Sequence, residues 1–422
     1  MTVCSAAFTG LARAQSEALS HPDLPLAVIP HPFGIRTREE IKQIAGPCAA
    51  DIVRLVCESA PGKSPIAPSA SVGARRAELI EAPADLDELN KFFIKQRWSD
   101  GLPVIPPTAE RVARMVDYTR RAPDEIIATI APAFGAATVE SIAINAVLAG
   151  CYPEYMPVLI AAVSAMAAPE FNLRHIQTTT NPAAVWLIIN GPIAERLGVN
   201  SGINCLGPGN WANATLGRAL RLIEHNIGGG LPGDIDRASL GQPGKYTFCC
   251  AENEIENPWE PLHVERGFAR DCSTVTVVGA LSPLNTTTHA KNADNLLRVL
   301  ADTMAYPMCN DYVYGGEPWL VLTPELAHIL QRDGLSKDAV KRRLWDHSKL
   351  LASRLSPYDI VRTQSARRAE LGEIGPETLL PVSARPENIN ILVAGGPGTH
   401  SAYIPVCGNS RSVTREVMLP GQ

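Results

Sequence analysis

Five short runs limit this chain most: EIIATIAP (125–132), AVWLIING (184–191), STVTVVGAL (273–281), PWLVLTP (318–324) and NINILVAGG (388–396). Each is apolar at successive positions, with Gly, Pro or polar residues at its ends. A strand with one wet face alternates; a strand covered on both faces does not. Between the runs lie helical patterns such as VESIAINAVLAG (139–150), closed by Gly150, and PELAHILQRDG (324–334), opened by proline. The alternation predicts an α/β fold, a layered mixed sheet covered by helices. No fixed-period repeat is visible.

At ~150 residues per domain, 422 residues suggest two or three units. Residues 1–60 read as a partial α/β unit: a strand within 3–8, a helix over 10–20, a strand over 24–31 and a helix from Thr37, which forms a capping box with Glu40. A Pro/Ser/Ala/Gly-rich linker spans 61–78, and the main α/β body is 79–422, dividing near 270. Asp85 or Asp87 and, further on, Thr108 are read as helix caps, 336–355 as helix, and 388–396 as the last strand. A net charge of -5 argues against a nucleic-acid partner. No apolar run reaches the ~18 residues of a membrane span, and no basic leader precedes an apolar stretch, so a cytoplasmic location is expected. The ten cysteines show no CxxC pair and are expected to be reduced, mostly buried, apolar residues.

Four stretches carry polar chemistry. In GINCLGPGN (202–210), Gly207 and Gly209 precede an amphipathic helix, beside Asn200, Asn204, Asn210 and Asn213. The GxGxxA string follows no strand, so it is not a dinucleotide fingerprint. Small residues and free N–H groups at a helix start instead suit an anion. In GGPGTHS (395–401) a strand leads into Gly398, His400 and Ser401, and strand carboxyl ends are where open α/β sheets hold ligands. His400 suits acid or base work, and Ser410, Arg411 and Ser412 suit an anion. The span 241–268 holds Lys245, Cys249, Cys250, Glu252, Glu254, Glu260, His263, Glu265 and Arg266, types that move protons or bind a metal. In AGCYPEYMPV (149–158) Cys151 precedes a proline-opened helix, where a thiol becomes more acidic.

Long strings, among them RWSDGLPVIPPTAERV (97–112), TTTNPAAVWLIINGPIAERLGVNSG (178–202), LGQPGKYTFCCAENE (240–254) and GGPGTHSAYIP (395–405), resemble the UGSC family, which includes bacterial selenoproteins. That family is named for a Sec-Gly-Ser-Cys or Cys-Gly-Ser-Cys motif in an N-terminal α/β domain. Residues 4–59 are similar to the second half of that domain, and no such motif occurs in the chain. The resemblance implies that a separate subunit supplies it, that the start lies further upstream, or that this chain has dropped the redox step. Similarity to the selenocysteine region of glycine reductase substrate subunits implies thiol or selenol attack on a small substrate.

The expected function is therefore an oligomeric enzyme subunit that binds a small carboxylate-bearing substrate for thiol- or selenol-dependent redox or C–S chemistry. Cys151, Glu252, His263 and His400 are the catalytic candidates. Asn181, Asn204, Gly207, Gly209, Asn213, Lys245, Gly398 and Ser401 are the binding candidates. The sequence names no cofactor and no metal. A self-sufficient, metal-dependent lyase or hydrolase using Glu252, Glu254, His263 and His400, and a non-catalytic scaffold, are the alternatives.

Overall fold

Fully apolar runs need cover on both faces, and the chain supplies it by stacking two sheets between helices. The computed structural model describes residues 1–58 and 76–421. In chain order the strands are β1 (Thr2–Ser5), β2 (Leu26–Ile29), β3 (Ile126–Ile130), β4 (Gly135–Thr138), β5 (Ala184–Asn190), β6 (Cys249–Ala251), β7 (Thr274–Ala280), β8 (Leu284–Thr287), β9 (Trp319–Leu322), β10 (Leu350–Leu351), β11 (Leu379–Leu380), β12 (Asn390–Val393), β13 (His400–Ile404) and β14 (Val413–Glu416). One sheet has the order β14-β7-β5-β6, the other β12-β9-β13-β8. The chain crosses from the first to the second between Ala280 and Leu284.

Alternate residues assign the layers. On β5, Val185, Leu187 and Ile189 join a core with Ile142, Leu159 and Leu216 of the covering helices. Ala184, Trp186 and Ile188 face the other way, into a second core shared with Trp319, Val321, Leu392 and Ile404 of the other sheet. The outer face of that sheet, Leu320, Leu322, Ile391 and Tyr403, packs on helices carrying Leu296, Leu300, Leu326, Val340 and Leu344. The result is an α/β fold in four layers: helices, sheet, sheet, helices.

The same path occurs twice. β5 is followed by the helix Pro192–Arg196, the helix Trp211–Asn226, a parallel neighbour β6 and an antiparallel neighbour β7 on the opposite side. β9 is followed by the helices Pro324–Arg332 and Lys337–His347, a parallel neighbour β12 and an antiparallel neighbour β13. The tryptophans at corresponding positions, Trp186 and Trp319, meet edge to face with centroids 5.4 Å apart. The ends of β7 and β13 bridge antiparallel at Ala280 and Val406.

Residues 1–58 form a parallel pair, β1 and β2, joined by the helix Thr9–Ala18 and followed by the helix Arg38–Glu58. Thr37 and Glu40 exchange the capping-box bonds, Thr37 N to Glu40 Oε2 at 2.7 Å and Glu40 N to Thr37 Oγ1 at 3.3 Å. Linker positions 61–75 lie outside the described residues; Arg76 and Ala77 both donate to the buried Glu140 carboxylate. Of the two alternatives Asp85, not Asp87, is the cap of its helix, and Thr108 caps the next.

Three expectations are corrected. The run at 125–132 is not a buried sheet strand but one arm of a separate hairpin with β4, with Ile126 exposed. The helix expected over 336–355 stops at His347, after which β10 pairs with β11. Residues 388–396 do not hold the last strand, since β13 and β14 follow. A further helix, Pro357–Leu371, is present. Among the described residues no single helix is long and apolar enough to cross a membrane.

Candidate functional site

The parallel pairs β5–β6 and β9–β12 end at the same place. Asn253, just past β6, donates its N–H to Val393 O at the end of β12 (2.8 Å). The loop 199–210 closes over this junction: Ala251 N donates to Asn200 O at 3.2 Å and Gly395 N to Ser201 O at 2.8 Å. Loops at the carboxyl ends of parallel strands are the usual ligand position in open α/β sheets. Here two such ends share one loop cluster.

Contact between that loop and the turn after β12 requires a missing side chain. A Cβ on Gly396 would stand 2.2 Å from Ile203 Cγ1 and 3.1 Å from Ile203 Cα. Gly396→Ala is expected to lower stability by ~1–3 kcal/mol through overpacking. It should also speed amide exchange at Ser201–Leu206 and Gly395–Thr399, leaving the helix Val139–Ala149 unchanged. Equal exchange in both proteins would refute the contact.

The junction gathers many of the residues singled out from the sequence. Asn204 has φ +59° and donates Nδ2 to Pro208 O at 2.7 Å, forming the turn over Gly207. Gly209 and Gly398, with φ +111° and +151°, open onto free space. His400 and Ser401 begin β13 beside Leu322, at the same end of the sheet. His400 is exposed, with Nδ1 3.1 Å from Thr287 Oγ1. Ser401 is buried opposite Thr286, and neither hydroxyl has a hydrogen-bond partner among the described residues.

Glu252 follows β6 directly and is buried. Its carboxylate accepts from Asn190 Nδ2 (2.6 Å), Asn257 Nδ2 (2.8 Å) and Leu262 N (2.7 Å). Burial nevertheless raises its pKa to about 6, with Lys337 opposing. Glu254 accepts from Asn190 and from Gly191 N, and its Oε1 lies 3.8 Å from His263 Nδ1. His263 is fully buried, and its Nε2 lies 3.2 Å from Arg270 O, which requires the proton on Nε2. Among the described residues no three His, Cys, Asp or Glu side chains are grouped to hold a metal ion.

Other candidates have different roles. Asn213 lies beneath the loop with its amide fully engaged: Oδ1 accepts from Asn200 N (2.8 Å), and Nδ2 donates to Asn200 O (3.0 Å), Cys205 O (3.1 Å) and Cys249 O (3.2 Å). It is a clamp and offers nothing to a ligand. Lys245 binds both oxygens of Asp236, at 2.8 and 2.7 Å, so its charge is already paired. It lies at the other end of β5, where Gln242 reaches Pro182 O and Ala280 O, and Asn181 lies at that end too. Cys151 is not an activated thiol. Its N–H returns to Ala146 O, its Sγ donates to Thr215 O, and burial pushes its pKa up to about 12. Arg266 bonds Thr414, Asn390 and Ser412, and Ser412 bonds Glu317, so both are engaged within the fold.

The sequence reading missed a cavity of about 740 Å³ bordering the junction. Thr399 and Glu256 line it from the two strand ends, and Lys291, Glu325, His328 and Arg332 line it from the helical side. These residues form no motif, because they come from separate segments. Cys205 was passed over as well. The neighbouring Cys250 thiol and the backbone amides around the loop hold its pKa below the ordinary thiol value although burial opposes them.

Neither a curated protein nor a solved structure matches the chain. Residues 1–58, the β1–β2 segment that precedes the body, match the model of the UGSC family.

Proposed function

We propose that the protein is an enzyme subunit that binds a small carboxylate-bearing molecule in the cavity beside the junction and acts on it by thiol- or selenol-dependent chemistry. The turn Gly395–Thr399 carries this reading. One end of it gives its N–H to Ser201 O, in the loop that carries Cys205, and the other lines the cavity. A molecule held by Lys291, His328 and Arg332, whose guanidinium also pairs with Asp333 at 3.0 Å, would thus lie against a turn tied to the loop of Cys205, a thiol held below its ordinary pKa. Glu252, with its pKa raised to about 6, is the nearby acid suited to proton transfer at neutral pH.

The second sulfur or selenium would come from a partner subunit docked on residues 1–58. Parallel strands ordinarily have both faces covered, yet Val3 and Val28 of β1 and β2 are 43% and 45% exposed. The UGSC match falls on this same segment.

Calorimetry with short carboxylates and their uncharged amides tests the ligand class. Carboxylates should bind and amides should not. The double variant Lys291→Ala/Arg332→Ala should weaken binding by at least about tenfold, the effect of one lost charge-assisted hydrogen bond. Equal binding of acids and amides, or full affinity in the double variant, would remove the reading.

A further inference from the structure

The helix Met156–Met166 carries no charge and only one hydroxyl, and nine of its eleven residues are buried. The two that are not, Ile160 and Ser164, lie one turn apart. With Pro157 and Ala161 they form a single stripe along the helix. A helix apolar all round belongs inside a core. This stripe is instead the floor of a cavity of about 620 Å³, a volume ordinary for a small-molecule site. One wall is the end of the helix Ala109–Thr119 with the start of β3. The other is the end of β14 with the chain that follows it, through Gly421. No lining residue is shared with the cavity at the junction.

Floor and rim differ in character. Ile127, Met418 and Leu419 extend the apolar stripe up the walls, while Arg120, Arg121 and Arg415 line the cavity together with Glu125 and Glu416. Arg121 is taken by Glu125 at 2.6 Å, and Glu416 accepts from the Cys272 thiol at 3.7 Å. Among the described residues no carboxylate pairs with Arg120 or Arg415. Arg415 Nη1 donates to Thr414 O at 3.1 Å, and Arg120 Nη1 lies beside Gly421, 3.1 Å from where a Cβ would stand. An occupant must therefore answer an apolar floor and two guanidinium groups that lack a counter-charge. An aliphatic chain covers the first, and a carboxylate meets the second with charge-assisted hydrogen bonds.

We propose that this cavity binds a straight-chain aliphatic carboxylate of medium length, its chain along Ile160 and Ile127 and its head at Arg120 and Arg415. The site stands apart from the junction and does not depend on the function proposed there. A neutral amphiphile would leave both guanidinium groups unanswered. A short acid would leave the stripe wet. Each methylene laid on the stripe should tighten binding by up to about fourfold while the chain still fits.

Titration calorimetry on the full chain compares octanoate with butanoate and octanamide. Octanoate should bind at least about tenfold more tightly than either, through buried methylenes in one comparison and charge-assisted bonds in the other. Exchange mass spectrometry should show protection by octanoate at 119–127 and 415–421. Ser164→Trp sets a ring over the floor and should abolish binding. Arg120→Ala/Arg415→Ala alters two exposed side chains, so it keeps the test if Ser164→Trp misfolds. It should bring octanoate down to the affinity of octanamide. No octanoate binding, equal affinities for octanoate and octanamide in wild type, or full octanoate affinity in the Arg120/Arg415 variant would overturn the site. Octanoate binding lost only in Lys291→Ala/Arg332→Ala would overturn it and uphold the ligand reading of the junction. Octanoate bound here by a protein that takes no short carboxylate would do the reverse.

Discussion

Asn213→Ala is expected to lower stability by roughly 3–5 kcal/mol. Four hydrogen bonds run through this one buried amide, and its loss strands the Asn200 N–H and three carbonyls beneath a loop. Each buried group left without a partner costs about 1–3 kcal/mol, partly relieved where the loop lifts and water enters. The damage should also be local. Amide exchange at 199–209 should rise by orders of magnitude more than in the helix Val139–Ala149. Asn213→Asp should be almost as harmful, because a carboxylate would face three carbonyl oxygens in place of the donor. Urea denaturation with exchange mass spectrometry reads both effects. An unchanged midpoint in Asn213→Ala would show that the clamp has been misjudged.

Stability should fall as pH rises from about 4 to about 7, the reverse of ordinary acid denaturation. Burial raises the pKa of Asp311 to about 7 and that of Glu252 to about 6. Both acids hold protons in the folded state at pH values where the unfolded chain has released them. The folded state therefore binds more protons across this window, and raising the pH favours unfolding until both acids are ionised. Between pH 5 and pH 8 the loss should be on the order of 3 kcal/mol, most of it from Asp311. Asp311 is fully buried, accepting from Tyr403 Oη at 2.6 Å and from Val406 N at 3.3 Å. Asp311→Asn should flatten more than half of the slope. Glu265 acts in the opposite direction: Lys337 and Lys341 lower its pKa, so its contribution is lost only in stronger acid. His175 and His225 also oppose the trend, because burial lowers their pKa and the unfolded chain takes up their protons more readily below pH ~6.5. Equal urea midpoints at pH 5 and pH 8 would contradict the assignment.

The layers were legible wherever burial left a mark on composition. β5, apolar at six of its seven positions and covered on both faces, was unmistakable in the sequence. Gly150 and Asp85 marked their helix ends because capping chemistry is local. β6 was missed because three residues, Cys-Cys-Ala, are too few to show a period. The run at 125–132 misled because an apolar stretch does not reveal what covers it, and here a hairpin partner replaces a sheet. That the strands divide between two stacked sheets was not readable, since pairing partners are set by packing.

The site followed the same rule. The glycine loops near 207 and 398 were found from composition, and the fold does bring the segments 200–209 and 395–401 to one end of the sheets. Cys151 was favoured by a local argument that its own hydrogen bonds undo. Cys205 owes its character to Gly395 and Cys250, which only the folded chain brings near.

The doubled path has one more effect. By register, Glu252 and Asn253 after β6 occupy the stations that Ala394 and Gly395 occupy after β12. One copy thus ends in a carboxylate held by Asn190, Asn257 and Leu262 N, and its counterpart in an amide spent on Ser201 O. A framework repeated with unlike locks at its two exits has halves that are not interchangeable.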